Sequence, residues 1–384
     1  MNKIKILSLF ILLLGILFSC KKPPEPHVTT PYNLEIPRFF PTRTNIPVDN
    51  PLTVEGVELG RYLFYDGRLS GRTHTDSLMS CASCHKQSRS FDVDPNQITL
   101  LNGRPVGLGG TPTPHAVLPL INLVWNESGY SWNGGYNNSN SDKYKKNIEG
   151  IVYHALIDPN EINGDTTDIV TLIQNTSGYP ELFDKAFGSK IVTVDGISKA
   201  IAQFVRTLIS YNSKFDKYLR GEVQLTTDEL MGYELFMTEE GADCFHCHGG
   251  DGNPLFTTNL FYNNGTDSVF NDPFDRYSVT GVRSDIGAYK ASTLRNIVHT
   301  APYMHDGRFS TLDEVIEFYS TGIIVSEFIH PLMHHANNGG TKLTPIERRQ
   351  LTAFLNALTD ESFMTNPDFG PPAQLPDGAT PLTK

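Results

Sequence analysis

Two short runs carry the chemistry: CASCH, residues 81–85, and CFHCH, residues 244–248. Together they use four of the five cysteines, and the fifth is Cys20. Two thiols separated by two residues, with a histidine directly after the second, is the attachment pattern of a c-type haem. The thiols of Cys81 and Cys84, or of Cys244 and Cys247, reach two vinyl groups on one edge of a porphyrin. The next imidazole lies beneath the iron. That spacing makes His85 and His248 the axial ligands and turns His246, a spacer residue, away from the iron. Two disulfides are the plain alternative for an exported chain, but they leave both trailing histidines unexplained. A structural zinc site needs four ligands close together. Here Cys84 and Cys244 are 160 positions apart (244 − 84). The expected cofactors are two covalently bound haem c groups.

Haem of this kind implies export, and the N-terminus agrees. Lys3 and Lys5 precede an apolar run over residues 6–18, too short and too early for a membrane span. It ends in LFSC, which resembles a lipoprotein processing box despite the bulky Phe18. Residues 1–20 are expected to be a lipoprotein-type signal peptide and Cys20 the lipid anchor, with a plain signal peptide or uncleaved anchor as the alternative. Residues 21–51 are Pro-rich and read as a tether. The expected location is the bacterial periplasm or cell envelope. The formal charge of −11 excludes nucleic acid as a natural partner.

Elements that could position the two motifs are helical. Residues 193–210 place Ile197, Ile201, Phe204, Val205 and Leu208 at helical spacing. A capping box, Thr226 to Glu229, opens a helix running toward Gly241, with Leu230, Tyr233 and Met237 on one face. Thr344, Pro345 and Glu347 start another, striped by Leu351, Phe354, Leu355 and Leu358. A third box, Thr311 to Glu314, begins a helix ending at Gly322, whose Leu312, Val315, Ile316 and Tyr319 face inward. The pattern is all-α: two cytochrome c-like haem domains with long irregular loops at 94–147 and 249–292. Expected boundaries are 52–210 and 211–365, with 366–384 as a tail. The two halves share little sequence beyond the motif.

Residues 54–360 resemble the bacterial dihaem cytochrome c peroxidase family, which includes MauG. The shared blocks, in order, include LGRYLFYDGRLS (59–70), INLVWNESGYSWNGG (121–135), DPNEI (158–162) and STLRNIVHTAPYMHDGRFSTLDEVIEFY (292–319). The resemblance implies that the haem on His85 meets hydrogen peroxide and the haem on His248 passes electrons. Many members close the peroxide side with a second histidine. Here that position falls near Leu101, and residues 86–114 hold no histidine. His115 is the next one and reads as a loop or supporting histidine. The implied iron is open and five-coordinate.

Glu161 matches the family's catalytic glutamate, against a solvated loop acid as the bland reading. Its usual glutamine helper would fall at Ile151 and is missing. Trp132 matches the tryptophan between the haems, although Asn133 and Gly135 stand where Asp and Arg are usual. A tyrosine fourteen positions after His305, Tyr319, stands where peroxidases carry a ligating methionine and MauG a ligating tyrosine. Met304 and Met333 are rival sulfur ligands that read better as packing. Thr300 and Pro302 match two positions that hold a calcium ion in relatives, while an asparagine of that site aligns to Ala116.

The leading expectation is a peroxidase reducing hydrogen peroxide with electrons from a small periplasmic donor such as a cytochrome c. A MauG-like oxidase acting on a partner protein is the second reading, and a non-catalytic electron-transfer cytochrome the third.

Overall fold

The computed structural model describes residues 27–135, 147–250 and 252–383. The signal sequence and Cys20 lie outside the described residues. Among them no helix is long and apolar enough to cross a membrane. The fold is mostly helical. Its strands are two-residue segments in two antiparallel pairs, Leu100–Leu101 with Arg104–Pro105 and Phe261–Tyr262 with Tyr289–Lys290.

Two helix crossings organise two apolar cores. In the first half, helix Val54–Phe64 packs across helix Val194–Arg206, with helix Ile148–Ile157 against the same partner. In the second half, helix Thr227–Met237 packs across helix Pro345–Ala357. The predicted stripes are the buried ones: Ile197, Ile201, Phe204, Val205 and Leu208 in one, Leu351, Phe354, Leu355 and Leu358 in the other. The capping boxes at Thr226, Thr311 and Thr344 all form.

Both crossings close on a glycine. A Cβ on Gly60 would lie 1.9 Å from the carbonyl oxygen of Ala200, and one on Gly232 would lie 1.9 Å from that of Gln350. Four residues after each glycine, a phenylalanine meets the opposing helix edge-on or tilted. Phe64 and Phe204 have ring centroids 5.3 Å apart, and Phe236 and Phe354 are 5.4 Å apart. The halves are thus built on one pattern, Gly-x-x-Leu-Phe against Phe-x-x-x-Leu (204–208 and 354–358). They share more sequence than the motif alone. The close approach also explains Leu230, expected on the inner face but 39% exposed. Gly232 and Phe236 define the buried face of that helix.

Each core adds a buried bidentate ion pair. Arg206 reaches Glu149 at 2.7 and 2.9 Å, and Arg295 reaches Asp216 at 2.8 and 2.7 Å. Losing one partner would leave an uncompensated buried charge.

Both chain ends depart from their expected roles. From residue 27 the segment read as a tether lies against the body: Phe40 packs at a tilt on Trp125, and Asn45 bonds the carbonyls of Leu123 and Asn126. The segment read as a tail returns to the first half. Arg61 holds the carbonyls of Pro367 and Gly370, Arg68 pairs with Asp377, and Lys86 reaches the carbonyl of Thr383. Phe363 and Met364 even join the first core. Aromatic and guanidinium partners spread along both ends supply contacts that a Pro-rich composition does not reveal.

Gly232→Ala should lower stability by about 1–3 kcal/mol through overpacking. A fall in Tm with the haem content retained is the expected result; an unchanged Tm would mean the crossing has slack.

Candidate active site

Each C-x-x-C-H run folds as a single helical turn. The His85 amide donates to the Cys81 carbonyl at 2.9 Å, and the His248 amide to the Cys244 carbonyl at 3.0 Å. Residues three apart on a helix share a face. Both thiols of a run therefore line one cavity together with the histidine that follows: Cys81, Cys84 and His85 in the first, Cys244, Cys247 and His248 in the second. None of the four is paired in a disulfide. Burial pushes the Cys81, Cys84 and Cys247 thiols up to about 12 and raises that of Cys244 as well.

Each imidazole is aimed by its Nδ1. His85 Nδ1 donates to the Phe91 carbonyl at 2.7 Å, a carbonyl turned back by left-handed Ser90 and Phe91. His248 Nδ1 donates to the Ser292 carbonyl at 3.0 Å. Burial lowers both rings to about 4, so they are neutral near pH 7. With Nδ1 carrying the proton, Nε2 keeps its lone pair. A carbonyl on the far nitrogen is the usual support of a metal-ligating histidine. Two thiols and one neutral imidazole on each cavity wall fit haem c. No metal-type cluster among the described residues includes any of these cysteines, as a cysteine-ligated structural zinc site would.

The first cavity also holds Glu161, His154 and Asp158. Helix Ile148–Ile157 ends at Asp158, and the turn after it presents Glu161, whose amide donates to the Asp158 carbonyl at 3.0 Å. The loop opposite closes through Gly107, where a Cβ would lie 2.2 Å from the Asn160 carbonyl. Burial, with Asp158 nearby, raises the Glu161 carboxyl to about 8. Such a group exchanges a proton near neutral pH. His154 was not singled out by its sequence. Its Nδ1 sits 3.4 Å from Asp158 Oδ2, one turn apart on the same helix face as the missing glutamine's position. That i, i+4 pairing was the available signal. Leu101 is exposed in its short strand. His115 reaches the cavity wall but its Nε2 faces Asp272 Oδ2 at 2.7 Å, and Tyr289 donates to the same oxygen.

Tyr319 lines the second cavity with Met304 and Met333. Its helix does not continue regularly: Leu312–Glu317 is α-helical, and Phe318–Gly322 widens into a π turn. Such turns recur at functional sites. Asn264 Nδ2 donates to the Tyr319 oxygen at 2.9 Å and lies 3.8 Å from the Met304 sulfur. Burial raises the phenol, and the Asn264 bond opposes that rise. His246 faces elsewhere, toward Asp243 at 2.5 Å. Thr300 and Pro302 border this cavity; Arg89 donates to the Ala301 carbonyl between them at 3.3 Å.

One wall serves both cavities. Trp132 and Lys290 line each of them. Trp132 Nε1 donates to the Ala116 carbonyl at 2.9 Å, and the Lys290 amide donates to the Trp132 carbonyl at 2.8 Å. The indole is 6.4 Å from the His305 ring, which stacks on Tyr289 at 3.6 Å. Although Gly135 lacks the usual arginine, Arg276 bonds the Asn133 carbonyl at 2.7 Å and lies over Phe261. A guanidinium from a distant segment supports the tryptophan loop.

A mostly helical chain with paired thiols and a buried neutral imidazole on each of two cavities defines a dihaem c-type protein. Comparison narrows the class. Residues 54–224 match the family model for di-haem cytochrome c peroxidase. The cytochrome c551 peroxidase of Nitrosomonas europaea is 33% identical over 271 residues, 70% of this chain and 73% of that protein. The methylamine utilization protein MauG of Methylorubrum extorquens is 31% identical over 324 residues, covering 82% of this chain and 81% of that one. Among solved structures, a MauG-like protein associated with microbial copper homeostasis is similar with a TM-score of 0.75 and 31% identity, over 89% of this chain and 99% of that one. This chain belongs to the di-haem cytochrome c peroxidase family and is an oxidoreductase.

Burial, with Arg276 adding to it, lowers Lys290 to about 7, and its Nζ donates to the Asn259 carbonyl at 2.9 Å. Between pH 7 and about 10 the unfolded chain binds more protons at this residue, so its contribution to stability grows as pH rises. Thermal unfolding of Lys290→Met should lose that part of the gain between pH 7 and pH 9. Equal pH responses in the two proteins would place the ammonium in water.

Proposed function

We propose that this protein reduces hydrogen peroxide at the cavity of Cys81, Cys84 and His85. In this reading, electrons arrive through the cavity of Cys244, Cys247 and His248. The observation that carries it is Glu161, a half-buried residue whose carboxyl desolvation raises to about 8 on the same cavity as His85. Residues 52–210 and 211–365 then form two cytochrome c-like haem domains, a division supported by the two glycine crossings, with Phe363 and Met364 at the end of the second packing into the core of the first. The apolar start of the chain supports export, with Cys20 as lipid anchor and the body facing the periplasm. A small cytochrome c or similar carrier is the electron donor.

Bound haem supplies redox-active iron at each site, with His85 and His248 as its protein ligands. The chain's own task in the first cavity is proton handling. Glu161 accepts a proton from one peroxide oxygen and returns it to the other. The O–O bond breaks, and two electrons and two protons complete two waters. His154 and Asp158 position Glu161 from the preceding turn. Trp132, on both walls, bridges the cavities for electron passage. A calcium ion held partly by Thr300 and Pro302 rests on the family resemblance; the Arg89 guanidinium beside Ala301 opposes a cation there.

The second reading, a MauG-like peroxide-dependent oxidase of a protein partner, is favoured by one observation. Tyr319 lines the same cavity as Cys244, Cys247 and His248, with Asn264 bonded to its oxygen. A purely electron-transferring cytochrome has no use for a half-buried acid in the first cavity.

With Glu161 near 8, its anion grows as pH rises toward that value, and only the anion accepts the first proton. The kcat/KM for peroxide should climb with pH up to about 8. Glu161→Gln should cut turnover by about 100-fold or more and flatten the profile while both haems stay attached. If turnover survives, another acid is responsible. Turnover with reduced cytochrome c as donor separates the peroxidase from the oxidase reading.

The oxidised protein should show one high-spin and one low-spin haem. Tyr319→Phe should alter only the low-spin spectrum. An unchanged spectrum removes tyrosine as a ligand, and two low-spin haems would contradict an open peroxide site.

A further inference from the structure

Beside the second cavity, three side chains that neither haem nor peroxide chemistry uses converge. Glu239, His246 and His334 each place one potential ligand atom within 4.8 Å of the others. They come from two segments. Glu239 lies in the turn after helix Thr227–Met237, and His246 in the CFHCH run that follows it. His334 follows Met333 in the loop that borders Tyr319.

We propose that Glu239, His246 and His334 form a binding site for a divalent cation of the zinc or copper(II) type. His246 Nε2 and Glu239 Oε1 are 3.5 Å apart. Two ligands about 2.1 Å from one tetrahedral ion stand about 3.4 Å apart, a separation longer than a good hydrogen bond. The other face of His246 is already set for ligation. Its Nδ1 donates to Asp243 Oδ1 at 2.5 Å, which leaves Nε2 with its lone pair toward Glu239. Asp243 is buried, its side chain 6% exposed, and its second oxygen lies 3.5 Å from His334 Nδ1. The Asp243 carboxylate thus orients the His246 imidazole, the support that metal-bound histidines commonly have, and stands within ion-pair distance of His334. The ring planes of His246 and His334 stand at 80° with centroids 4.8 Å apart, an edge-to-face arrangement that brings the two rings together without stacking. The neighbouring His335 ties the loop to this turn through its Nε2 on the Glu239 carbonyl at 2.5 Å.

The donor set selects the ion. Two imidazoles and one carboxylate suit zinc and copper(II); calcium and magnesium prefer oxygen alone. Three protein ligands leave a position for water or a ligand from outside. A bound ion would clamp the loop carrying Met333 to the turn carrying Cys244, two walls of one cavity.

The test uses the full-length holoprotein with both haems. After equilibration with zinc sulfate and dialysis, metal analysis should give about one zinc per two haem irons, retained in excess calcium. His334→Ala and Glu239→Gln should weaken zinc uptake by more than about 10-fold while haem absorbance is unchanged. His299→Ala, a histidine outside the cluster, should bind like the parent. Uptake no greater in the parent than in His334→Ala, equal losses in His334→Ala and His299→Ala, or displacement of zinc by calcium would each overturn the site.

Discussion

Two backbone-to-backbone contacts hold the molecule together: Gly60 on Ala200 and Gly232 on Gln350. Each lets two helices approach until one helix's carbonyl lies where a side chain would otherwise stand. The aromatic rings four residues on then interlock, and the chain leaving each first helix has little freedom. In the second half, the Ala242 amide is caught by the Leu235 carbonyl at 2.7 Å, one residue short of the thiol turn's approach. In the first half, the Met79 amide is caught by the Gly67 carbonyl at 3.3 Å. The thiol turns are placed by these crossings, and the histidines follow because each closes its own turn.

Charge then decides what the cavities can hold. A buried imidazolium is costly, so both histidines are neutral and spend their one N–H on a carbonyl. The same cost works on Lys290, whose ammonium is eased by the Asn259 carbonyl and the Phe261 ring, 4.5 Å away. In Glu161 it holds a proton on the acid. A low-dielectric interior therefore produces two neutral imidazoles, one weakened cation and one protonated carboxyl. Ordinary side chains acquire their roles from burial.

How much was legible in the sequence follows from the range of the interactions. The thiol turns, three capping boxes and two apolar stripes are local, and the structure reproduces them. The glycine crossings were visible in principle as Gly60-x-x-Leu63-Phe64 and Gly232-x-x-Leu235-Phe236, but three matching residues in each half do not stand out by eye. The docking of residues 27–51 and 366–383 is not legible in the sequence because composition says nothing about a distant docking surface. Arg61, Arg68 and Lys86, which hold the C-terminal strand of chain, sit more than 290 positions away from some of their partners. Tyr319 was expected on an inward helical face and does line the cavity, but through a π turn that an α-helical period does not foresee.

The two halves share a frame and differ in their polar groups, and that difference defines their chemistry. The first cavity has an acid whose proton is exchangeable near pH 8. The second has a phenol whose proton burial retains, although the Asn264 amide supports its oxygen. A phenol in that setting gives up its proton most readily when a cation takes the proton's place. Asn264 leaves the oxygen oriented and partly stabilised for negative charge, whereas the nearby Met304 and Met333 sulfurs offer no comparable charge. Of the three, only the tyrosine oxygen would strongly favour the oxidised form of a bound metal.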